Sequence, residues 1–452
     1  MSDISEKFAH YALTQSDFPE AAIKSAKTFI LDSLGVGIAG SKAPFSDAVF
    51  TTMQSWGQGD HAHIWGREVK ASTSSAAYMN GFQIHSMEYD CVHEPAVVHP
   101  MATIFAALSA EAERQDKVSG KNLIEAVIVA VDVAVEIGVA VETPLKFFRP
   151  ATAGLFGATL GIARLRGFDV PTALSAMGCA LAQCAGVMQA HVEGKPTLPV
   201  QIAGAARAAV VACDLAENGL FGPEQSLEGP YGYFKMFEDV VNIDSAIAAL
   251  GRVHRITEVS WKPFPTGRAA QGGIVLLKDL ISQGVTAENL ESLTLMAPPI
   301  IPRLVDRPVI DDMTANYSRL CFPYLGAITL LRGTVGLGDF TSEDLQNPHI
   351  RALSTRINVT TNTVTDPAEF VPQNMIAKLK SGEEKTSEIQ KLFGSPANPL
   401  THTQHIEKFR ACVAFGLSEV KAKPVADRLI EYIDNLERSD TCHEIFLCAS
   451  GL

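Results

Sequence analysis

Three features of this sequence predict a mainly α fold, with a large all-α helical domain and a smaller α+β lid domain inserted before the C-terminal helices. Ala- and Gly-rich stretches with apolar residues at helical spacing fill the first part of the chain. Near residue 256 the character changes, and runs that alternate apolar and polar residues begin. Helical pattern returns after Thr401, which with Gln404 forms a capping pair at the start of "THTQHIEKFRACVAF". A chain of 452 residues is long enough for more than one domain. The boundaries read from these changes are 1–257 with 401–452 for the helical domain and 258–400 for the α+β domain.

The elements follow in order. In "EAAIKSAKTFILDSLGVGIAG", Ile23, Ala26, Ile30 and Leu34 share one helix face and glycines end the run. "HPMATIFAALSAEAER", "GLFGATLGIARLRG", "PTALSAMGCALAQCAGVM" and "AGAARAAVVACDLAENG" are helices whose small residues allow close packing. "LIEAVIVAVDVAVEIGVAV" is the most apolar stretch, but Glu125, Asp132 and Glu136 make it a buried helix rather than a membrane span. Beta-branched alternation is scarce here, so no strand is expected before residue 256. Beyond it, "NLESLTLMAP", "STRINVTTN" and "QNMIAKLKSG" read as strands, and "EEKTSEIQKLF" fits strand or helix. "GRAAQGGIVLLKDLISQG" and "FPYLGAITLLRG" read as helices.

Hydrophobic residues make up 47% of the chain and charged residues 19%, as in globular proteins with a sizeable core. The net charge of −13 argues against nucleic acid and anionic membranes as partners, though not against a small anionic substrate. The N-terminus shows no signal-peptide pattern, and the 8 cysteines form no C-x-x-C pair. Reduced, mostly buried thiols and a cytoplasmic location are expected.

The densest chemistry lies in "IHSMEYDCVHEPAVVHP", which holds three of the 12 histidines, His85, His93 and His99, among Glu88, Asp90 and Glu94. His85 and Glu88, three apart, are expected on one helix face, with His93 and His99 in an irregular loop. An acid–base or substrate-binding role suits this set best. A metal held by His85, Glu88 and His99 is chemically conceivable, but the spacing matches no standard zinc motif. A plain polar loop is the third reading.

Cations gather in Pro- and Gly-bounded segments elsewhere. Arg149 in "FFRPATAG" precedes a helix start, where a carboxylate could be seated. Lys195 in "EGKPTLPVQ" and Lys262 in "WKPFPTGR" each precede a proline, with Arg268 six residues beyond Lys262. "PPIIPRLVDRP" adds Arg303 and Arg307, and "NYSRLCFPYLGA" adds Tyr317, Arg319 and Tyr324. Each has a bland reading as a solvated side chain. Together they suggest a pocket for a substrate with more than one carboxylate. No dinucleotide fingerprint, Walker loop or G-x-S-x-G is present.

These stretches, with "ILDSLGVGIAG", "AAYMNGFQIHSMEYD", "VVHPMATIFAAL", "WKPFPTGR" and "IEKF", resemble the MmgE/PrpD family nearly end to end. That family holds 2-methylcitrate dehydratase, cis-aconitate decarboxylase and iminodisuccinate epimerase. The resemblance implies a homodimer and an active site in a cleft between the domains. It also implies metal- and cofactor-free proton transfer next to a carboxylate of a small di- or tricarboxylate, most simply a dehydration. Carried over residue by residue, it implicates His99, Lys262 and Tyr324 in catalysis beside Glu88 and His93, and Lys195 in substrate binding with Arg149, Arg268 and Arg303. The chain departs from the family pattern in having Glu88 for Asp, Val92 near a threonine position, and Arg149 for His. Gly267, Arg268 and Gln271 stand where one or two histidines are usual. Arginine stays protonated and cannot replace a histidine as proton carrier. The chain is therefore expected to be a poor 2-methylcitrate dehydratase and a poor cis-aconitate decarboxylase, and a catalytically reduced carboxylate binder is the reading from another class.

Overall fold

A computed structural model describes residues 3–143, 145–366 and 369–452. The described residues carry 21 α-helices and two small sheets, so the chain is mainly α. Its buried apolar side chains form two large clusters. The first is built from residues before Val259 together with the last helices, and the second from residues between Phe264 and Leu379.

The centre of the first cluster is the helix Gly120–Val139, almost wholly buried. It packs against Arg149–Leu165 and Pro100–Gln115, and Leu198–Glu217 lies against Thr73–His85 and Arg149–Leu165. The three acids of this apolar helix all have partners. Asp132 accepts from the Tyr11 hydroxyl at 2.5 Å, the Arg255 amide at 2.6 Å and His254 Nδ1 at 2.9 Å. Glu136 holds Arg255 at 2.7 Å, and Glu125 holds Arg164 at 2.7 Å. Buried carboxylates are tolerated because each is paired and hydrogen-bonded. Leu198–Glu217 alone among the described helices is long and apolar enough to cross a membrane, and most of it is packed inside the protein.

Small residues set the helix spacing. A Cβ on Gly40 would lie 2.0 Å from the carbonyl oxygen of Gln83, and one on Gly157 would lie 2.4 Å from that of Ala130. Helix pairs this close exclude even a methyl group at the crossing.

One element in this part differs from expectation. Strands β1 (Ala62–Ile64) and β2 (Val69–Ala71) form an antiparallel hairpin where no strand was predicted. They are three residues long, too short for an alternation to register in sequence.

The second cluster surrounds a four-stranded sheet. Strands β3 (Leu290–Ala297), β4 (Ile357–Thr361), β5 (Gln373–Leu379) and β6 (Glu384–Ile389) lie in the order β4-β3-β5-β6, with only the β3–β4 pair parallel. All three predicted strands are present, and the ambiguous segment is the edge strand β6. Arg268–Ser282 and Phe322–Arg332 are helices as predicted and pack together. The Thr401–Gln404 capping box is formed and starts the helix His402–Gly416, which returns to pack on Glu20–Gly40. All eight cysteines are free and seven are buried.

The helix crossing at Gly40 yields a stability test. Gly40→Ala is expected to destabilise the fold by about 1–3 kcal/mol, the usual cost of overpacking a filled site, read as a lower denaturant midpoint. An unchanged midpoint would show that the two helices have room to separate.

Candidate active site

The helix Thr73–His85 starts at Ser72, whose side chain accepts from the Ser75 amide, and it ends at His85. The chain then turns, and Glu88 takes a left-handed backbone with φ +51°. Glu88 therefore does not continue the helix face of His85, contrary to expectation. The next helix, Pro100–Gln115, begins with Pro100 at its first position and His99 as its cap residue. Residues 85–99 form an arch between two helix ends, with a histidine at each foot and Asp90 between them. Short β-bridges brace the arch: His93 pairs with Val98, and Val92 with Ser260. The second bridge delivers Lys262 to the arch from the segment that joins the two apolar clusters.

Asp90 is the hub. Its Oδ2 accepts from His85 Nδ1 and from His99 Nδ1, each at 3.0 Å. A carboxylate only accepts, so both imidazoles carry their proton on Nδ1 when neutral. The two rings stand edge to face with centroids 5.0 Å apart. Lys262 Nζ donates to Glu88 Oε2 at 2.8 Å and lies 3.7 Å from Asp90 Oδ1. His85 Nε2 is 4.0 Å from Glu88 Oε1 and has no hydrogen-bond partner.

These neighbours separate the titrations. Burial disfavours charge on His85, but Asp90 and then Glu88 outweigh it, and the pKa is raised. The same burial, reinforced by Lys262, outweighs Asp90 at His99 and lowers its pKa. Glu88 is pulled to about 2 against its burial by Lys262 and then the two histidines. Asp90 is held well below the ordinary range, again against burial, by His85 and His99. At neutral pH the cluster therefore contains two carboxylates, a protonated His85 and a neutral His99.

His85, Glu88 and His99 line a cavity of about 80 Å³. Val97, Leu145, Phe148, Pro150 and Met188 line it from the first cluster's side, and Gly267, Arg268, Leu304, Leu320 and Phe370 from the other. A smaller chamber adjoins it, sharing His85, Glu88, His191, Leu198 and Leu320, with Lys195 at its edge. Burial lowers the pKa of His191 to about 4, with Arg307 adding to the effect.

The remaining sequence candidates fall as follows. Lys262 is fully buried behind Glu88 and does not line either chamber, so it is not the open cation expected on a Pro-bounded loop. His93 turns away, with Nε2 3.1 Å from Glu258 and Nδ1 accepting from the Ala96 amide. Arg149 is buried against Glu238, at 3.1 Å from Nε, and lines neither chamber. Arg268 lines the cavity with Nε on Glu94 at 2.5 Å, while its buried Nη2 has no partner. Lys195 and Arg303 are exposed. Tyr324 donates to the Asp339 carbonyl at 2.7 Å, inside the second apolar cluster. Asp90 and His191 were not singled out in sequence. Asp90 sits among the histidines it joins, and that adjacency was the available signal.

His85, Asp90 and His99 place three potential ligand atoms within 4.8 Å of one another. The Lys262 ammonium stands 3.7 Å from the same Asp90 carboxylate. A divalent cation there would share a buried site with an ammonium, which Coulomb repulsion disfavours. The sequence alternative built on His85, Glu88 and His99 meets the same obstacle, since Glu88 is the lysine's partner.

Comparison with known proteins agrees with this geometry. The MmgE/PrpD N-terminal domain model matches residues 6–245, and the MmgE/PrpD C-terminal domain model matches residues 264–432. Similar curated proteins include the cis-aconitate decarboxylase of Mus musculus, 25% identical over 98% of this chain and 92% of its own length. The Homo sapiens cis-aconitate decarboxylase is 24% identical over 100% of this chain and 95% of its own length. A cis-aconitate decarboxylase-like protein of Aspergillus oryzae is 24% identical, over 97% and 95%. With both domain models matched across most of its length, this chain belongs to the MmgE/PrpD family.

Proposed function

We propose that this protein is a lyase-type enzyme that moves a proton on the carbon next to a carboxylate of a small acid, and that its reaction is a dehydration. The observation that carries this reading is the pair of imidazoles on one aspartate, with pKa values pushed in opposite directions. Such a split assigns an acid and a base. Neutral His99, with Nδ1–H fixed on Asp90, offers Nε2 as the base that takes the α-proton. Protonated His85 has a partnerless Nε2, which gives its proton to the departing hydroxyl. Water leaves, the C–O bond breaks, and the electrons of the C–H bond become the new C=C bond. Arg268 Nη2 is the donor for the substrate carboxylate, where charge grows as the proton is removed. Glu88 stays ionised and raises the pKa of His85, and Lys262 holds Glu88 and Asp90 in place.

Epimerisation and decarboxylation draw on the same groups. A decarboxylase needs an acid to protonate carbon and has no use for the base, so the complementary pair favours dehydration. The cavity of about 80 Å³ is far below the ~300–1,000 Å³ of ordinary ligand pockets. Substrate entry therefore requires the walls to part, which supports the α+β part acting as a lid. A homodimer is part of this reading. Among the described residues, Phe221 is 90% exposed and Tyr231 80%, apolar surface of the kind an interface covers.

The mechanism predicts a bell-shaped pH dependence of kcat/KM. His99, lowered from 6.5, must be neutral, so the acidic limb lies below pH 6.5. His85, raised from 6.5, must be protonated, so the alkaline limb lies above it. His99→Gln is expected to abolish exchange of the substrate α-proton with deuterated solvent, and exchange at the wild-type rate would remove His99 from the base role. Lys262→Ala leaves Glu88 and Asp90 buried without their ammonium and is expected to cost about 3–5 kcal/mol of stability in denaturant unfolding. Activity is expected to survive a metal chelator, and its loss together with stoichiometric metal in the active protein would sink the metal-free mechanism.

A further inference from the structure

The proposed acid–base site also constrains the substrate it serves, through charge and through shape. Two arginines that favoured a polycarboxylate in sequence are already committed to acids of the protein. Arg149 is closed on Glu238, and Arg268 spends Nε on Glu94. Lys262 is closed on Glu88. Among the described residues that line the cavity, one cationic donor is left buried without a partner, Nη2 of Arg268. Two of the cavity's own lining groups, Glu88 and Glu94, are carboxylates. One substrate carboxylate has a seat, and two more would enter a buried space that offers them no cation.

The rest of the wall is apolar. Val97, Phe148, Met188, Leu304, Leu320 and Phe370 face the space beyond the imidazoles from both sides. At Gly267 a Cβ would lie 2.4 Å from Leu320 Cδ2, so a leucine side chain fills the volume over that glycine.

We infer that the substrate is a single carboxylate with an apolar substituent, an alkyl-bearing 3-hydroxy acid or the matching 2-enoate, rather than a tricarboxylate. The acid sits on Arg268 Nη2, its α- and β-carbons lie under His99 and His85, and its hydrocarbon end lies among Leu304, Leu320 and Phe370. This inference rests on the proton-transfer reading given above.

The test uses the intact wild-type protein and a series of 3-hydroxy acids and 2-enoic acids of increasing chain length, beside citrate, 2-methylcitrate and cis-aconitate. Calorimetry gives Kd, and exchange of the C2 proton in deuterated water reports the chemistry. Kd is expected to tighten about fourfold for each methylene buried, until the chain fills the space, with cis-aconitate and citrate at least about tenfold weaker than the best alkyl acid. Leu304→Arg, checked for an unchanged unfolding midpoint, is expected to weaken the alkyl acids and strengthen cis-aconitate. If a tricarboxylate binds and exchanges better than every alkyl acid, the inference is overturned while the proton-transfer reading stands. It is overturned in the same way if Leu304→Arg leaves the order of preference unchanged. If acids of neither class bind or exchange, the proton-transfer reading has failed and the inference falls with it.

Discussion

A lysine ammonium sealed from water beside two carboxylates is the constraint on which this site depends. Lys262 is fully buried, 2.8 Å from Glu88 and 3.7 Å from Asp90. Removing three charges from water is costly, and the arrangement holds only because each meets a counter-charge at short range. Lys262 belongs to the segment joining the two apolar clusters, and the acids belong to the arch between two helices of the first. The pairing therefore ties the arch to the junction. Arg319 reinforces the join, donating from Nη1 to the Met87 carbonyl at 2.9 Å and the Pro265 carbonyl at 2.7 Å. Met87 immediately precedes the left-handed Glu88, so a guanidinium from the second part of the chain braces the turn that aims the carboxylate. Burial lowers the pKa of Arg319 to about 9, a sign of how dry that junction is.

The same geometry explains why two imidazoles on one carboxylate oxygen behave differently. His85 sees Glu88 as well as Asp90, and it caps the last turn of its helix, where the dipole favours a cation. His99 precedes the first turn of the helix Pro100–Gln115, where the dipole disfavours one. A symmetric pair of ligands would suit a metal ion. An asymmetric pair, with an ammonium beside it, suits proton transfer.

Much of this architecture was legible because its signals are local. Strands β3, β4 and β5 announce themselves by alternation, the last long helix by Thr401 and Gln404, and the arch by its density of acids and histidines. What stayed hidden depends on partners far apart in the chain. Arg149 and Glu238 are 89 residues apart, and Arg268 and Glu94 are 174 apart, so their arginines read as open cations. Lys262 read as an open cation for the same reason, its partner Glu88 being 174 residues away. Tyr324 looked catalytic by position, and only the fold shows its hydroxyl turned to the Asp339 carbonyl. Glu88 was assigned to a helix face because spacing alone cannot reveal a left-handed residue.

The distribution of thiols has a practical consequence. Seven of the eight cysteines are buried, and the half-buried Cys184 has its thiol pushed up to about 12 by burial. Alkylation proceeds through the exposed thiolate, so the native chain offers almost nothing to a labelling reagent and the unfolded chain offers every cysteine. The buried thiols span both apolar clusters, with Cys213 in the first and Cys321 in the second. Mass-resolved labelling would therefore time the opening of each cluster separately, with no probe added to the sequence.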